Sequence, residues 1–169
     1  MKKIMGVLLL VLLISVFACA EEATPAEAPE DLYDAIEMSD TREMLEARFE
    51  LNETEDGYFI LENQVLLAFF ESGRLQAKAR VFENAGEIAP AAAVPLDKLP
   101  SYKQGKPIDE VTEAFGAEGF EIMKINLADE DNAGLRRVLV WKSETGAVVQ
   151  ALFELDDNRW VLFAIAEVK

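Results

Sequence analysis

The pattern of apolar and polar positions divides the chain into an apolar opening run and two later stretches of similar rhythm. The opening run, from Ile4 to Ala20, is apolar on all sides and lacks the one-sided pattern of a helix at a protein surface. In each later stretch, apolar residues first recur at helical spacing and then at every second position, as in strands. The pattern therefore predicts short helices followed by strands, twice.

The first run of strands is placed by the dipeptide Ser72-Gly73, which suits a two-residue hairpin turn. This turn sets Phe70 opposite Leu75, and directly opposed residues share a face of the sheet. One predicted face is wholly apolar and carries Leu66, Ala68, Phe70, Leu75, Ala77, Ala79 and Val81. The other mixes apolar and cationic residues, namely Tyr58, Ile60, Val65, Leu67, Phe69, Gln76, Lys78 and Arg80.

The second run of strands follows from turns centred on Glu144-Thr145 and Asp157-Asn158. One predicted face then carries Val138, Val140, Val149, Ala151, Phe153, Leu155, Trp160 and Leu162. The other carries Arg137, Leu139, Trp141, Val148, Gln150, Leu152, Val161, Phe163 and Ile165. The stretch "FEIMKINL" before this run is a candidate for one further strand.

Each run of strands is preceded by residues that favour helices. Ser39 or Asp40 can cap a first helix. Pro107 suits the first turn of a second helix and Gly116 suits its end. The apolar sides of these two helices are formed by Met44, Leu45 and Phe49, and by Ile108, Val111 and Phe115.

These elements predict an α+β fold of two tandem repeats, each a helix pair followed by antiparallel strands. The repeats are expected to form one curved sheet with helices on one face. Repeat 1 spans 32–84 with two helices and three strands, and repeat 2 spans 96–169 with two helices and three or four strands. A linker of small residues and prolines, 85–95, separates them.

The opening run has the features of a secretory signal peptide over residues 1–18. Two lysines precede it, and the only cysteine of the chain, Cys19, closes it. "Ala18-Cys19-Ala20" fits ordinary signal cleavage, whereas "Val16-Phe17-Ala18-Cys19" resembles a bacterial lipobox, in which the cysteine is lipidated. The lipoprotein reading is preferred because it explains the lone cysteine, with 19–31 as an acidic flexible tether. It predicts a bacterial cell-envelope protein, exported across the cytoplasmic membrane and held to a membrane through Cys19.

Composition narrows the possible functions. The chain has 16 basic and 32 acidic residues, a net charge of −16, which disfavours nucleic acid as a partner. It contains no histidine, the commonest general base and metal ligand. The serines outside the opening run therefore lack a histidine base. The loop Asp129–Gly134 resembles a calcium loop only in part, because Val140 stands where the bidentate glutamate belongs. No catalytic residue, metal site or cofactor is predicted.

A family resemblance rests on the stretch from Gly105 to Gly116 and on the strand "VLVWKSETGAVVQALFE". Together with the repeated helix-and-strand order behind a lipoprotein signal, they resemble the β-lactamase-inhibitor-protein-like fold. The single-copy relative of that fold is the small outer-membrane lipoprotein of the β-barrel assembly machinery. The resemblance implies a concave sheet face that grips another protein. Inhibition of a β-lactamase does not carry over, because those inhibitors are disulfide-stapled and this chain has one cysteine.

The resulting hypothesis is a non-catalytic envelope lipoprotein that binds a protein partner, as yet unidentified, through the mixed face of its sheet. The candidate partner-binding residues are Tyr58, Phe69, Lys78, Arg80, Arg137, Trp141 and Phe163. Three alternatives stay open at this point. The same residues can pack internally, the face can close over a small apolar ligand as a sensor, or carboxylates can serve an envelope hydrolase.

Overall fold

The structure is a computed structural model that describes residues 31–49, 52–53, 58–61, 64–81, 85–127 and 134–168. The predicted signal peptide 1–18, Cys19 and all of the tether except Asp31 lie outside the described residues. So does nearly all of the predicted loop Asp129–Gly134.

The described residues form four α-helices, one 3₁₀ helix and nine strands. The α-helices are α1 (Leu32–Ala35), α2 (Arg42–Arg48), α3 (Ala85–Ile88) and α4 (Ile108–Phe115), and the 3₁₀ helix is Leu96–Ser101. The strands are β1 (Asn52–Glu53), β2 (Tyr58–Leu61), β3 (Gln64–Glu71), β4 (Arg74–Arg80), β5 (Ala91–Ala92), β6 (Phe120–Asn126), β7 (Leu135–Ser143), β8 (Val148–Asp156) and β9 (Arg159–Val168). The stretch that was a candidate for a further strand is β6, and the segment predicted as a linker contains α3 and β5.

All nine strands belong to one open sheet, in the order β1-β2-β3-β4-β6-β7-β8-β9. Every pairing along this path is antiparallel, and β5 pairs with β7 in parallel. Since β1 and β5 have two residues each, seven longer strands carry the sheet. The predicted α+β class with an antiparallel sheet is confirmed. The pairing of β4 with β6 joins the two halves of the chain.

The helix ends follow local chemistry. Helix α4 follows Pro107 and ends at Gly116, whose φ of 71° is the left-handed conformation that glycine adopts most readily. The C-terminal end agrees with the sequence prediction, whereas Pro107, predicted for the first turn, directly precedes the helix. Helix α2 begins one residue later than predicted, because Thr41 is its cap and accepts the N–H of Met44 at 3.2 Å. Asp40 is buried and accepts the N–H of Glu37 instead.

Two buried clusters lie against the sheet. The C-terminal core is built around Trp141 and consists of Ala92, Val94, Leu99, Val111, Phe115, Leu139, Trp141, Val149, Ala151, Phe153 and Leu162. The N-terminal core consists of Leu32, Tyr33, Ile36, Leu45, Phe49, Phe59, Leu66, Ala68 and Leu75. Each core combines residues of helices with residues from one face of neighbouring strands.

The first hairpin has the predicted turn but a different register beyond it. Glu71 pairs with Arg74 and Phe70 with Leu75, as the Ser72-Gly73 turn predicts. A β-bulge then shifts the pairing, so that Ala68 lies opposite Lys78 and Leu66 opposite Arg80. A bulge adds one residue to one strand and reverses the faces beyond it. The prediction that Lys78 and Arg80 share a face with Phe69 is therefore wrong.

The connection between β7 and β8 is longer than predicted. It spans residues 144–147 and includes Gly146 at a φ of 86°, in place of a two-residue turn. Trp141 therefore pairs with Val149, and Leu139 pairs with Ala151. A shift of one residue exchanges the faces of a strand. It moves Arg137, Leu139 and Trp141 onto the face of the C-terminal core, and the predicted faces of β7 are wrong.

Candidate functional site

The face of the sheet opposite the two cores is the candidate site and is called the open face. Its members follow from the register of β3, β4, β6, β7 and β8. They include Val65, Leu67, Phe69, Ala77, Ala79, Met123, Ile125, Arg136, Val138, Val140, Lys142, Gln150, Leu152 and Glu154. Phe163 adjoins them, since the guanidinium of Arg136 lies 4.5 Å from its ring centroid.

The open face exposes large apolar side chains. Phe69 is 60% exposed, Val65 and Leu67 are each 39% exposed, and Phe163 is 38% exposed. The three residues of β3 alternate along one strand and therefore form one continuous strip. Contiguous exposed apolar surface is unusual on a monomer and generally marks an interaction site.

The middle of the open face differs from its two sides. Val138 and Val140 of β7 are buried, and Lys142, next on the same face, donates to the carbonyl oxygen of Gly86 in α3 at 3.0 Å. The exposed strip of β3 and the exposed ring of Phe163 therefore flank a covered centre. Between the strip and that centre lie the partly exposed Met123 and Ile125 of β6.

Charge on the open face is locally balanced. The guanidinium of Arg136 lies 3.6 Å from a carboxylate oxygen of Glu154, its cross-strand neighbour. The same guanidinium stacks over Phe163, a cation–π contact. The sequence analysis assigned three cations, Lys78, Arg80 and Arg137, to this face, and all three lie on the core side.

Trp141 is fully buried, so its predicted place among exposed anchors is wrong. It packs edge-on against Phe115 at a centroid distance of 5.1 Å and against Phe153 at 6.5 Å. Its indole N–H donates to the carbonyl oxygen of Ala117 at 2.9 Å. A Cβ added at Gly119 would lie 2.4 Å from the indole ring, so only glycine fits there without displacement.

Lys78 is buried at 4% exposure beneath α1. Its Nζ donates to the carbonyl oxygens of Tyr33 and Ile36, each at 2.5 Å, and lies 4.0 Å from the ring centroid of Tyr33. Burial, helped by the nearby charge of Lys124, lowers the pKa of Lys78 to about 8. Lys78 is a structural cation, and its side chain does not reach the open face.

Arg80 ties the first described residues to the sheet. Its guanidinium pairs with the carboxylates of Asp31 and, at 2.8 Å, Asp34. Its Nε donates to the carbonyl oxygen of Glu121 at 2.9 Å. With both its charge and its donors engaged by the chain itself, Arg80 serves to position α1 over β4 and β6.

Arg137 lies beside a carboxylate that sequence reasoning missed. Its Nη1 is 3.6 Å from Glu121, and its guanidinium stacks over Trp160 at 4.3 Å. Burial lowers the pKa of Arg137. Glu121 also accepts the phenolic O–H of Tyr33 at 2.9 Å, and burial together with Glu121 raises the pKa of Tyr33. The alternation within "FEIMKINL" gave no signal for this role, because a bulge interrupts β6 between Glu121 and Met123.

Of the remaining predicted residues, Phe69 and Phe163 lie where the sequence analysis placed them, on exposed positions outside the cores. Tyr58 pairs with Leu67 through the backbone, and its side chain lies outside what the structure describes. The open face therefore keeps two of the predicted aromatic residues and gains Met123 and Ile125, to which the sequence analysis gave no role.

A cleft on the other side of the sheet is chemically different. It has a volume of about 470 Å³ and lies between α4 and strands β6 and β7. Its lining includes the carboxylates of Asp109, Glu113, Glu118 and Glu121 and the guanidinium of Arg137.

Within the described residues, no group of three or more His, Cys, Asp or Glu side chains is arranged to hold a metal ion. Nor does any helix in those ranges have the length and apolarity to cross a membrane.

Comparison with known proteins adds no relative: no protein-family model matches this chain, and no curated protein matches it.

Proposed function

We propose that this chain is a non-catalytic lipoprotein of the bacterial cell envelope, which binds a protein partner through the open face of its sheet. The observation that carries the proposal is the exposed strip Val65, Leu67 and Phe69 on β3. Aromatic and aliphatic side chains of this kind are the usual anchors of protein interfaces.

The chemistry of the open face defines the partner surface that it fits. Arg136 is paired with Glu154, Lys142 donates to the carbonyl oxygen of Gly86, and the exposed strip of β3 itself carries no charge. The partner is therefore expected to offer an apolar patch that accepts the ring of Phe69. It is not expected to offer the carboxylates that cations on this face would have required.

The lipoprotein part of the proposal rests on the sequence alone. The stretch from Val16 to Cys19, directly after a short apolar run, resembles the lipobox at which a lipid is attached to the cysteine. Stable anchoring takes more than one acyl chain, which lipoprotein processing supplies. Asp31, at the end of the predicted tether, is fixed to the sheet by its ion pair with Arg80.

We also infer that the fold arose from two tandem repeats, each with helices on the core side of the sheet. The sequences Ala68–Glu71 and Ala151–Glu154 read "AFFE" and "ALFE". The pairing shifts between Phe69 and Phe70 in the first hairpin and between Leu152 and Phe153 in the second. These are equivalent positions of the two sequences, so the same irregularity recurs at the same place. This coincidence supports the repeat.

The two alternative functions draw on different surfaces. A sensor of small apolar molecules would close the open face over its ligand, and the exposed strip of β3 is the apolar surface available to it. The cleft beside α4 suits that ligand class less well, because five of the nine residues that line it are charged. A carboxylate-dependent hydrolase would take its acids from the same cleft, and its activity would be lost on changing one of them.

The test is site-specific photo-crosslinking with the full chain in living cells. A photoreactive residue replaces Phe69 in one variant and Met44 in the other. Met44 is the matched control because it is 51% exposed and apolar, but lies on α2. We expect one defined protein to be captured at Phe69 and not at Met44.

The captured protein is then purified and titrated with wild type, Phe69→Ala and Met44→Ala. Loss of an interface anchor costs about 2 kcal/mol or more, so Phe69→Ala is expected to weaken binding by at least about 30-fold. Met44→Ala is expected to bind as wild type does. Equal capture at both positions, or unchanged affinity of Phe69→Ala, would contradict the proposal.

A further inference from the structure

The last strand of the sheet, β9, is an edge strand of ten residues. Its sequence from Val161 to Val168 is "VLFAIAEV", which contains no proline, no lysine and one charged residue. Natural edge strands are usually protected against pairing with another chain by such residues, by a bulge or by a covering loop. Within the described residues, the opposite edge of the sheet is formed by the two-residue β1.

Only the first part of this edge, at Val161 and Leu162, is protected, by the loop at residues 105–107. Leu162 donates to the carbonyl oxygen of Lys106 at 2.7 Å and accepts the N–H of Gly105 at 2.8 Å. Pro107 forms a bridge with Val161, and the bulge of β9 follows directly. Beyond the bulge, Ala164, Ala166, Glu167 and Val168 are all exposed.

The alternation of the antiparallel ladder identifies the free backbone groups. Leu162 points its N–H and C=O away from β8, since both bond to the loop at residues 105–106. Backbone groups alternate along an antiparallel pair, and the bulge adds one residue. The next residues whose backbone N–H and C=O point away from β8 are therefore Ile165, paired with Ala151, and Glu167, paired with Val149.

We propose that this edge pairs with the same edge of a second copy of the chain, antiparallel and centred on Ala166. In this register Ile165 of one copy lies opposite Glu167 of the other, on both sides of the two-fold axis. Both are outward-pointing residues, so the pairing satisfies the free N–H and C=O groups of each. A two-fold interface of this type is self-complementary by construction.

Two features favour this register and this occupant. Ala166 meets Ala166 at a non-hydrogen-bonded position, where strands approach most closely and a small side chain fits. Glu167 faces an isoleucine and not its own copy, so like charges are not directly opposed. A register centred on Ile165 would set Glu167 opposite Phe163, which lies at the bulge and lacks an outward N–H. The dimer also places the open faces of both copies side by side.

The register gives a direct test by disulfide crosslinking of the full chain in membranes of the expressing cells. Cα atoms of opposed residues at non-hydrogen-bonded positions are about 4.5 Å apart, within the range that a disulfide spans. Ala166→Cys is therefore expected to yield a covalent dimer under mild oxidation. Ala164→Cys is the matched control, because it lies on the same face and would be about 14 Å from its copy. The wild-type chain, with Cys19 alone, gives the background.

A yield of covalent dimer from Ala166→Cys well above the yields from Ala164→Cys and from wild type would support the proposal. Equal crosslinking of both variants, no crosslinking above wild type, or capture of a different protein at Ala166→Cys would overturn it. A second measurement is sedimentation of the detergent-solubilised wild-type chain at low and high salt. Two copies of this strongly acidic chain repel one another, so the dimer fraction is expected to rise with salt. A chain that stays monomeric at every salt concentration would also overturn it.

Discussion

The two cores lie against the same sheet but finish their helices in different ways. In the C-terminal core, α4 is capped by its own backbone. The N–H of Gly116 donates to the carbonyl oxygens of Thr112, at 2.9 Å, and Glu113, at 3.2 Å. In the N-terminal core, the four-residue α1 has no such cap. The carbonyl oxygens around its end are satisfied by the side chain of Lys78 from the sheet and that of Arg48 from α2.

This difference sets what each core depends on. The C-terminal core is held by the shapes of its rings, since Trp141, Phe115 and Phe153 pack edge to face. The N-terminal core is held in part by donors on the side chains of Lys78 and Arg48, because the last carbonyl groups of any helix need donors from outside it. Substitutions in the first are expected to act through volume, and substitutions in the second through charge and pH.

The largest loss in the free energy of unfolding is expected from Trp141→Ala. Removing a fully buried tryptophan leaves a cavity and an unpaired carbonyl at Ala117, at a cost of about 3–5 kcal/mol. Chemical denaturation of the variant measures this as a loss in the free energy of unfolding. Phe69→Ala, which removes an exposed ring, is the control and is expected to cost about 1 kcal/mol or less. Equal losses for the two variants would contradict the placement of Trp141 in the core.

The second effect concerns Lys78 and is a dependence on pH. The pKa of Lys78 is about 8 in the folded chain and near the ordinary value of 10.5 in the unfolded chain. Between these values the unfolded chain binds more protons, so stability rises with pH. The contribution of Lys78 to the free energy of unfolding is complete above pH 10.5 and is lost as the pH falls through 8.

The measurement is the free energy of unfolding of wild type and Lys78→Met at several pH values. Methionine nearly keeps the length of the side chain without its charge, so titrating groups that do not interact with Lys78 cancel in the difference. The advantage of wild type over Lys78→Met is expected to grow by about 3 kcal/mol across this window. A difference that stays constant with pH would show that Lys78 titrates as an exposed lysine does.

The smallest of these effects is expected from Gly119→Ala. The added Cβ would meet the indole ring at 2.4 Å, and relieving such overpacking costs about 1–3 kcal/mol. Trp141→Phe removes the ring atoms that clash. Gly119→Ala is therefore expected to cost less in the Trp141→Phe background than in wild type, which a double-mutant cycle measures. Additive losses would mean that the two residues do not meet.

The turns and helix ends were predictable because single residues determine them. Gly116 ends α4, and the turns at Ser72-Gly73 and Asp157-Asn158 give the pairings of Glu71 with Arg74 and Asp156 with Arg159. The face assignments failed where one extra residue enters the chain. The bulge beyond Phe70 has no marker comparable to a glycine in a two-residue turn. The β7–β8 connection does have one, Gly146 at a φ of 86°, but the predicted turn at Glu144-Thr145 did not use it.

The error in the candidate site follows from this physics. A slip of one residue moves a whole strand segment to the other face. The bulge in the first hairpin therefore moved Lys78 to the core side, and the longer β7–β8 connection moved Arg137 and Trp141 there. Phe69 kept its face, because it lies close to a correctly placed turn. Burial alone would not have corrected the assignment, since a cation such as Lys78 is rarely expected inside a core.

The link between Arg80 and Asp31 has a mechanical consequence. β4 is the fourth of eight strands along the sheet, and Arg80 stands at its end. Any tension on the polypeptide preceding Asp31 is therefore delivered first to an ion pair in the middle of the sheet. An edge strand under such a load would peel away one hydrogen bond at a time. Here the load must first break the Arg80 ion pairs and then lift α1, with Tyr33 and the bonds of Lys78, from the N-terminal core.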